Sequence, residues 1–251
     1  MSAAPLVSRF RSARTDGTLA VLEGFHAIKH ALRFGAEITV MVTRNAGEVE
    51  RLAAELAPDV WPAMLSTLEE ITPALYAELT PTPAETGIVA LARRRMTSVD
   101  ELAVVPSAAP MVLLEAPSHP GNVGAAIRAS AGAGAAAVLT TGPHDPWQPA
   151  ALRGSAGLHY ALPVVRVESP SVPCRRLIAI DPDGAPLDAT AIPPGALLAF
   201  GSERSGLSET LLAQASDRLR IPMAPGVSSL NLATAVAVTL YTWRYQQRAR
   251  A

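Results

Sequence analysis

Three glycine-rich loops in the second half of the chain carry side chains that could bind a ligand. The first loop contains Asn122 and leads to Arg128, the second places Glu203 between two glycines, and the third contains Ser229 and Asn231. Each loop follows a predicted strand, and ligands of parallel sheets bind beyond the carboxyl ends of the strands. Because arginine suits bidentate contacts to phosphate and a helix start offers free amides, these loops form a candidate site.

Simpler interpretations of the same loops remain open. Gly124 follows Gly121 by three positions, and no acid lies at the expected distance after a second strand, so a dinucleotide site is a weak alternative. The segment Gly201–Gly206 could be a plain strand-to-helix turn, and Ser228–Asn231 an ordinary capped start of a helix.

A mostly parallel α/β unit is predicted to position these loops, because strands and helices alternate along this part of the chain. Strands are predicted at 111–115, 136–140, 176–180, 196–200 and 219–221, and helices at 123–133 and 228–250. Ser228 or Ser229 is expected to cap the final helix.

A smaller unit with α/β/α layers is predicted over residues 18–96. Apolar residues at helical spacing from Leu22 to Leu32 predict a helix that ends at Gly35. Strands at 38–42 and 87–92 and a helix at 49–56 complete this unit. The remaining boundaries follow: 1–17 as a flexible arm, 97–110 as a linker and 111–251 as the second domain.

The composition is that of a globular protein rather than a membrane or disulfide-stabilised one. Hydrophobic residues make up 49% of the 251 residues, yet no uncharged apolar run reaches the roughly 18–20 residues of a membrane span. The N-terminus lacks the basic-then-apolar order of a secretory signal. A single cysteine, Cys174, excludes an intramolecular disulfide and a cysteine-based zinc cluster. We therefore expect a cytoplasmic protein without membrane contact.

Charge gives a divided indication about nucleic acid. The net charge is −1, which offers no bulk attraction to phosphate, but arginines cluster at Arg9, Arg11 and Arg14 and again at 93–95. Since Lys29 is the only lysine, the cationic surface is almost entirely guanidinium, which suits phosphate. Alternatively, the two arginine clusters are only the solvated side chains of an N-terminal arm and of a linker, with no role in binding. No metal site is predicted, because the two histidines spaced i,i+4 near the N-terminus have no further ligand nearby.

Together the three loops resemble, in order, the three motifs of the SpoU/TrmH family of S-adenosylmethionine-dependent RNA ribose 2′-O-methyltransferases, within the SPOUT superfamily. The matching segments are Pro120–Arg128, Leu198–Gly206 and Ile221–Asn231, and Arg153–Pro163 is similar to the segment between the first two motifs. The resemblance covers residues 107–251. The unit at 18–96 resembles the ribosomal-protein-like RNA-binding domain often placed ahead of this catalytic domain.

The resemblance implies a parallel-sheet domain with a deep C-terminal trefoil knot, S-adenosylmethionine as cofactor, and a homodimer formed largely by the final helix. Val236, Leu240 and Trp243 lie at helical spacing and could supply an apolar stripe for that interface, or pack within one chain. Structured ribosomal RNA is the preferred substrate. Transfer RNA remains open, as does a catalytically silent RNA-binding or ribosome-assembly protein with the same fold.

The resemblance also implies a role for each motif residue. The implied catalytic group is Asn122, Arg128, Glu203, Ser229 and Asn231, and the implied cofactor-binding group is Thr140, Gly201, Ile221, Met223 and Leu230. Arg128 is expected to act as an electrostatic clamp on phosphate and on a developing alkoxide. A guanidinium is a poor general base, because it stays protonated up to a pKa above about 12.

Overall fold

The computed structural model describes residues 3–81, 84–104, 107–169, 172 and 175–249, so Cys174 lies outside the described residues. The chain divides into two compact units. The first comprises Met1–Met96 and Trp147–Ala161, and the second comprises Thr97–Pro146 and Leu162–Ala251. Most of the segment Arg153–Pro163, which carries part of the family resemblance, therefore belongs to the first unit.

The first unit is built on a mixed sheet of four strands in the order β1-β4-β2-β3. Strands β1 and β2 are antiparallel to β4, and β2 is parallel to β3. Numbered along the whole chain, its elements are α1 (Ala3–Ala13), β1 (Leu19–Glu23), α2 (Phe25–Arg33), β2 (Ile38–Thr43), α3 (Ala46–Leu56), α4 (Trp61–Leu65), β3 (Leu68–Glu70), α5 (Pro73–Leu79), β4 (Ile88–Arg93) and α8 (Pro149–Gly154), with a 3-10 turn at Leu158–Tyr160.

The predicted strands at 38–42 and 87–92 and the helix at 49–56 are confirmed, but the first predicted helix begins too early. Leu22 belongs to strand β1, and helix α2 begins only at Phe25. Gly24 separates the two elements with a φ of 92°, a conformation that favours glycine. The apolar spacing therefore ran across a strand and a helix, and periodicity alone does not detect such a break.

Residues 3–13 form helix α1 rather than a flexible arm. Leu6, Phe10 and Ala13 are buried in a cluster that also contains Tyr76 and Leu79 of α5. An amphipathic helix on a sheet buries one apolar face, which fixes its position. The N-terminal segment is therefore part of the core of the first unit.

The arginine run at 93–95 is held by groups of the first unit. Arg93 pairs with Glu37 at 2.9 Å, Arg94 donates to a backbone carbonyl of β1 at 2.6 Å, and Arg95 donates to the carbonyl of Tyr160 at 3.0 Å. These guanidinium groups thus have structural partners within the first unit, although Arg93 and Arg95 remain exposed to solvent.

The second unit contains an all-parallel sheet of six strands in the order β10-β8-β9-β5-β6-β7. Its elements are α6 (Val99–Val104), β5 (Met111–Leu114), α7 (Pro120–Ala133), β6 (Ala137–Thr140), β7 (Val164–Arg166), β8 (Leu177–Pro186), β9 (Leu197–Phe200), α9 (Glu209–Gln214), β10 (Asp217–Arg220) and α10 (Leu232–Arg248). The five predicted strands and the parallel α/β architecture are confirmed. None of the described helices is long and apolar enough to cross a membrane.

The segment predicted as a linker contributes a helix to the second unit. Leu102 of α6 is buried in a cluster with Met111 and Leu113 of β5 and with Leu211 of α9. Burial of a leucine of this size stabilises the fold by about 1.5–3 kcal/mol, so α6 is part of the domain rather than a spacer.

The final helix packs within the chain through the stripe that was expected to form a dimer interface. Val236, Leu240 and Trp243 are buried, and α10 contacts α7 and β9. The alternative of packing within one chain is therefore correct for these three residues. The cap is also different from the prediction, since the side chain of Asn231, rather than a serine, accepts from the first amides of α10.

Candidate functional site

The three glycine-rich loops leave the sheet of the second unit at its carboxyl edge. Strands β5 and β9 are parallel neighbours, with Leu114 opposite Phe200. The loop that follows β5 leads into α7, and the loop that follows β9 leads into α9. Because both strands end at the same level, side chains of the two loops are placed within contact distance of each other.

Asn122, Glu203 and Asn231 form one hydrogen-bonded chain across the three loops. The Nδ2 of Asn122 donates to Oε1 of Glu203 at 2.6 Å, and the Nδ2 of Asn231 donates to Oδ1 of Asn122 at 3.0 Å. The Oδ1 of Asn231 accepts from the backbone N–H of Ala233 at 2.9 Å. The start of α10 therefore fixes Asn231, which orients Asn122, which in turn orients the carboxylate.

Glu203 is held in its ionised form by neutral donors. Partial burial raises its pKa, but the hydrogen bonds from the Asn122 amide and from the backbone N–H of Ser118, with smaller help from His119, lower the pKa of Glu203 overall. Both carboxylate oxygens accept a hydrogen bond. This carboxylate is thus suited to orient groups and to supply negative charge, and it is poorly suited to take up a proton.

A cavity of about 180 Å³ opens beside this hydrogen-bonded chain. Six of the residues singled out from the sequence line it: Gly201, Glu203, Ile221, Met223, Ser229 and Leu230. Its described lining contains two carboxylates, Asp181 and Glu203, and no lysine, arginine or histidine. The lining therefore favours a ligand that combines an apolar part with positive charge.

Gly201 occupies a position in the cavity wall that requires glycine. A Cβ added at Gly201 would collide with the backbone of Gly206 and Leu207, which cannot move aside as a side chain could. The turn is closed by mutual backbone hydrogen bonds of 3.1 Å between Ser202 and Gly206. The absence of a side chain at 201 lets the loop fold back on itself and leaves its backbone facing the cavity.

Arg128 lies apart from this cavity. It is exposed on α7 and is not among the cavity-lining residues. It follows Asn122 by six positions, which at 3.6 residues per turn places the two side chains about 120° apart around the helix. Among the described residues Arg128 has no hydrogen-bond or ion-pair partner. Its guanidinium is therefore available to a ligand that approaches from outside the cavity.

Thr140 is not brought to the cavity either. It ends β6, and β5 lies between β6 and β9 in the sheet, so the strand order separates Thr140 from the loop at Gly201. Its hydroxyl oxygen is buried and has no hydrogen-bond partner within the described ranges. The geometry thus gives no support to the prediction that Thr140 binds a cofactor.

Sequence reasoning missed two acids at strand ends. Asp181 follows the predicted strand 176–180 and lines the cavity, and the rule that ligands bind beyond strand ends would have identified it. Glu115 follows β5 and accepts from the backbone N–H and the hydroxyl of Ser208 at 2.7 and 2.6 Å, which secures the start of α9. Among the described residues, no group of three or more His, Cys, Asp or Glu side chains could hold a metal ion.

Comparison with known proteins places the chain among RNA methyltransferases of one family. Residues 109–241 match the family model of the SpoU rRNA methylases. The chain is 29% identical to the 23S rRNA (uridine(2479)-2′-O)-methyltransferase of Streptomyces viridochromogenes, over 92% of this chain and 84% of that protein. It is 27% identical to the 23S rRNA (guanosine(2553)-2′-O)-methyltransferase of Bacillus subtilis, over 92% and 90%.

A solved structure shares the architecture over nearly the whole chain. The SpoU methyltransferase AviRb from Streptomyces viridochromogenes, crystallised in complex with the cofactor AdoMet, superposes with a TM-score of 0.79 at 25% identity and covers 98% of this chain and 97% of its own. A second structure, described as an RNA 2′-O ribose methyltransferase, superposes with a TM-score of 0.74 at 27% identity and covers 99% and 98%.

Proposed function

Because the chain belongs to the SpoU rRNA methylase family, we propose that it transfers a methyl group from S-adenosylmethionine to a ribose 2′-hydroxyl of structured ribosomal RNA. The observation that carries this function is the chain of Asn122, Glu203 and Asn231 beside a cavity with two carboxylates. The two curated relatives act on a uridine and on a guanosine at similar identity to this chain. The feature common to both substrates is the ribose, and we therefore propose that the ribose is the group that receives the methyl.

The cavity residues suit this cofactor. Its adenine needs apolar walls, which Ile221, Met223 and Leu230 supply, and its sulfonium needs negative charge, which Glu203 supplies. The close backbone turn at Gly201 offers main-chain groups to the same ligand. When bound, the cofactor supplies an electrophilic methyl group, so the protein's own task is to orient the ribose oxygen and stabilise its developing charge.

Arg128 is assigned to the RNA side of the reaction. A permanently charged guanidinium without a partner in the described part of the chain suits a phosphate next to the target ribose, and it stabilises negative charge that develops on the 2′-oxygen. Ser229 also lines the cavity, so its hydroxyl is placed to contact the ribose or the cofactor. Asn122 and Asn231 are assigned to positioning, since Asn122 donates to Glu203 and Asn231 donates to Asn122.

Three further parts of the proposal extend the family resemblance. The first unit serves as the RNA-binding domain, supported by Arg9 and Arg11, which are exposed on α1. The segment after β10 threads through a loop of the preceding chain to form a knot. The strand order supports this part, because the chain that leaves β9 crosses β8 before it forms β10 at the edge of the sheet. The protein acts as a homodimer through the outer face of α10.

The outer face of α10 supports the dimer because it exposes apolar groups at helical spacing. Val238, Tyr241 and Tyr245 are 38%, 40% and 64% exposed. These side chains replace the buried stripe at Val236, Leu240 and Trp243 as the candidate contact. Large exposed apolar groups that follow one helix face are typical of association surfaces.

The deciding experiment is transfer of tritiated methyl from S-adenosylmethionine to unmodified ribosomal RNA, followed by mapping of the ribose-methylated position. We expect label at one ribose. Label on transfer RNA alone would show that the substrate is transfer RNA rather than ribosomal RNA. Cofactor binding without transfer to any RNA would favour a catalytically silent RNA-binding protein.

Arg128→Ala tests the assigned chemistry within that assay. Loss of charge stabilisation at the reacting oxygen should lower turnover by at least about 10²–10³-fold. Affinity for S-adenosylhomocysteine should stay within a few-fold, because Arg128 does not line the cavity. Arg218→Ala, which removes another exposed arginine of the second unit, is the matched control. Near-normal turnover of Arg128→Ala would refute the role.

A further inference from the structure

We infer that Asp181 accepts hydrogen bonds from the ribose hydroxyls of the cofactor, an assignment that rests on the function proposed above. Asp181 lies in β8 and lines the cavity. Strands β8 and β9 are parallel, with Ile180 opposite Phe200, so the next residue pair places Asp181 beside Gly201. The carboxylate therefore stands at the carboxyl edge of the sheet, on the side of β9 away from β5 and Asn122.

The carboxylate of Asp181 has capacity left for a ligand. Its Oδ1 accepts from the backbone N–H of Asp183 at 3.0 Å, which orients the side chain. No donor among the described residues occupies its Oδ2. The other cavity carboxylate, Glu203, already accepts on both oxygens from Asn122 and Ser118. Since an ionised carboxylate offers about four acceptor positions, Asp181 is the acid in the described lining with an oxygen left open.

The surroundings of Asp181 favour the adenosine part of the cofactor. Ile180 and Pro182 flank it on β8, and Ile221 and Met223 follow the neighbouring strand β10. These apolar side chains suit an adenine ring, and the ribose is the next group along the molecule. Aspartate and glutamate at strand ends are recurrent acceptors for ribose hydroxyls of nucleotide cofactors.

The amino-acid end of the cofactor is a poorer match for Asp181. That end carries both an ammonium and a carboxylate, so repulsion of the carboxylate by Asp181 offsets the attraction of the ammonium. The hydroxyls of Ser228 and Ser229, which line the cavity from the third loop, are donors of the kind the carboxylate of the cofactor needs. Ser228 and Ser229 thus suit the amino-acid end of the cofactor, and Asp181 suits its ribose.

Calorimetric titration of Asp181→Ala and Asp181→Asn with two ligands tests the assignment. S-adenosylhomocysteine has both ends, whereas 5′-methylthioadenosine keeps the ribose and lacks the amino acid. We expect Asp181→Ala to weaken both ligands by the same factor, about 10- to 100-fold for loss of hydrogen bonds to a charged acceptor. The 2′-deoxy form of 5′-methylthioadenosine should bind wild type more weakly but lose nothing further in the variant. Asp183→Ala, at an exposed neighbour outside the lining, is the matched control.

The outcomes separate this assignment from the proposed function. If Asp181→Ala weakened the binding of S-adenosylhomocysteine alone, Asp181 would contact the ammonium group of the cofactor and the assignment would be wrong. Unchanged binding of both ligands would also overturn the assignment. In both cases wild-type binding would leave the proposed function standing. Failure of the wild-type protein to bind either ligand would refute the proposed function and this assignment together. Should Asp181→Ala fail to fold, the isosteric Asp181→Asn gives the same decision with a smaller expected loss.

Discussion

Two carboxylates, one in each unit, show how similar hydrogen-bonding patterns serve different purposes. Glu23 in the first unit has a side chain only 1% exposed, and it bonds to Arg14, Thr80 and Arg153. Glu203 in the second unit is exposed at a loop and bonds to the amide of Asn122 and to a backbone N–H. Both carboxylates accept hydrogen bonds from donors that are distant in the sequence, such as Arg153 for Glu23 and Asn122 for Glu203, but the charge of the donors differs.

The difference in donor charge decides what each carboxylate does. Two guanidinium groups balance the charge of Glu23. Its ion pairs therefore serve to link strand β1 to Arg14, the residue after α1, and to helix α8. Neutral donors fix Glu203 without cancelling its charge. A carboxylate that is oriented and still charged is able to act on a cationic ligand or on a guanidinium. Charge balance therefore separates a structural acid from a functional one more clearly than the number of hydrogen bonds does.

The largest expected effect sharpens the structural side of this comparison. Glu23→Ala removes the buried carboxylate shared by Arg14 and Arg153, whose own side chains are partly exposed, and we expect the free energy of unfolding to fall by about 1–3 kcal/mol. Denaturant unfolding measures this change. Glu37→Ala is the matched control, because its pair with Arg93 is exposed and should be worth less than about 1 kcal/mol. Equal losses in the two variants would remove the distinction drawn for Glu23.

Glu203→Gln tests the functional side. The isosteric amide keeps the shape and removes the charge, so turnover should fall by about 10- to 100-fold. The free energy of unfolding should change by less than about 1 kcal/mol, because the site is exposed. Affinity for S-adenosylmethionine should fall more than affinity for S-adenosylhomocysteine, since only the former carries a sulfonium charge.

Glu209→Gln, which removes an exposed charge from the first turn of α9, is the control for Glu203→Gln. Equal losses of affinity for the two cofactor forms in Glu203→Gln would show that the charge of Glu203 does not act on the sulfonium.

The smallest expected effect concerns the protonation of Glu203. Asn122→Ala removes the strongest of the contacts that lower the pKa of Glu203, so this pKa should rise toward its ordinary value. Because the folded pKa is depressed, the ionised carboxylate stabilises the site above the ordinary pKa, and that contribution is lost as pH falls through the folded pKa. As pH is lowered, the Asn122→Ala variant should therefore lose the stabilising contribution of the ionised Glu203 at a higher pH than the wild-type protein does.

Carboxyl-carbon NMR of glutamate-labelled protein measures the Glu203 titration directly, and Asn45→Ala, a helix cap of α3 in the first unit, serves as the control. An unshifted titration in Asn122→Ala would mean that the 2.6 Å contact does not govern the charge of Glu203.

Sequence patterns predicted most elements and part of the site, because those features depend on neighbouring residues. Buried strands at 111–115 and 196–200 were recognisable from apolar runs that end in glycine-rich loops. The turn at Gly201 was recognisable from its glycines. Errors arose where a partner distant in sequence decided the outcome. The first helix is fixed rather than flexible because its apolar face, Leu6, Phe10 and Ala13, packs in one cluster with Tyr76 and Leu79, which lie far along the chain.

The amino-acid sequence by itself determined where the strands end and which polar residues follow them, since strand length and turn chemistry are local properties. Only the tertiary structure decided which strand ends meet. The order of the sheet brings Asp181 to the cavity and keeps Thr140 away from it, although both residues come at the end of a buried parallel run. Strand order depends on packing between segments far apart in the chain, and no local pattern encodes it.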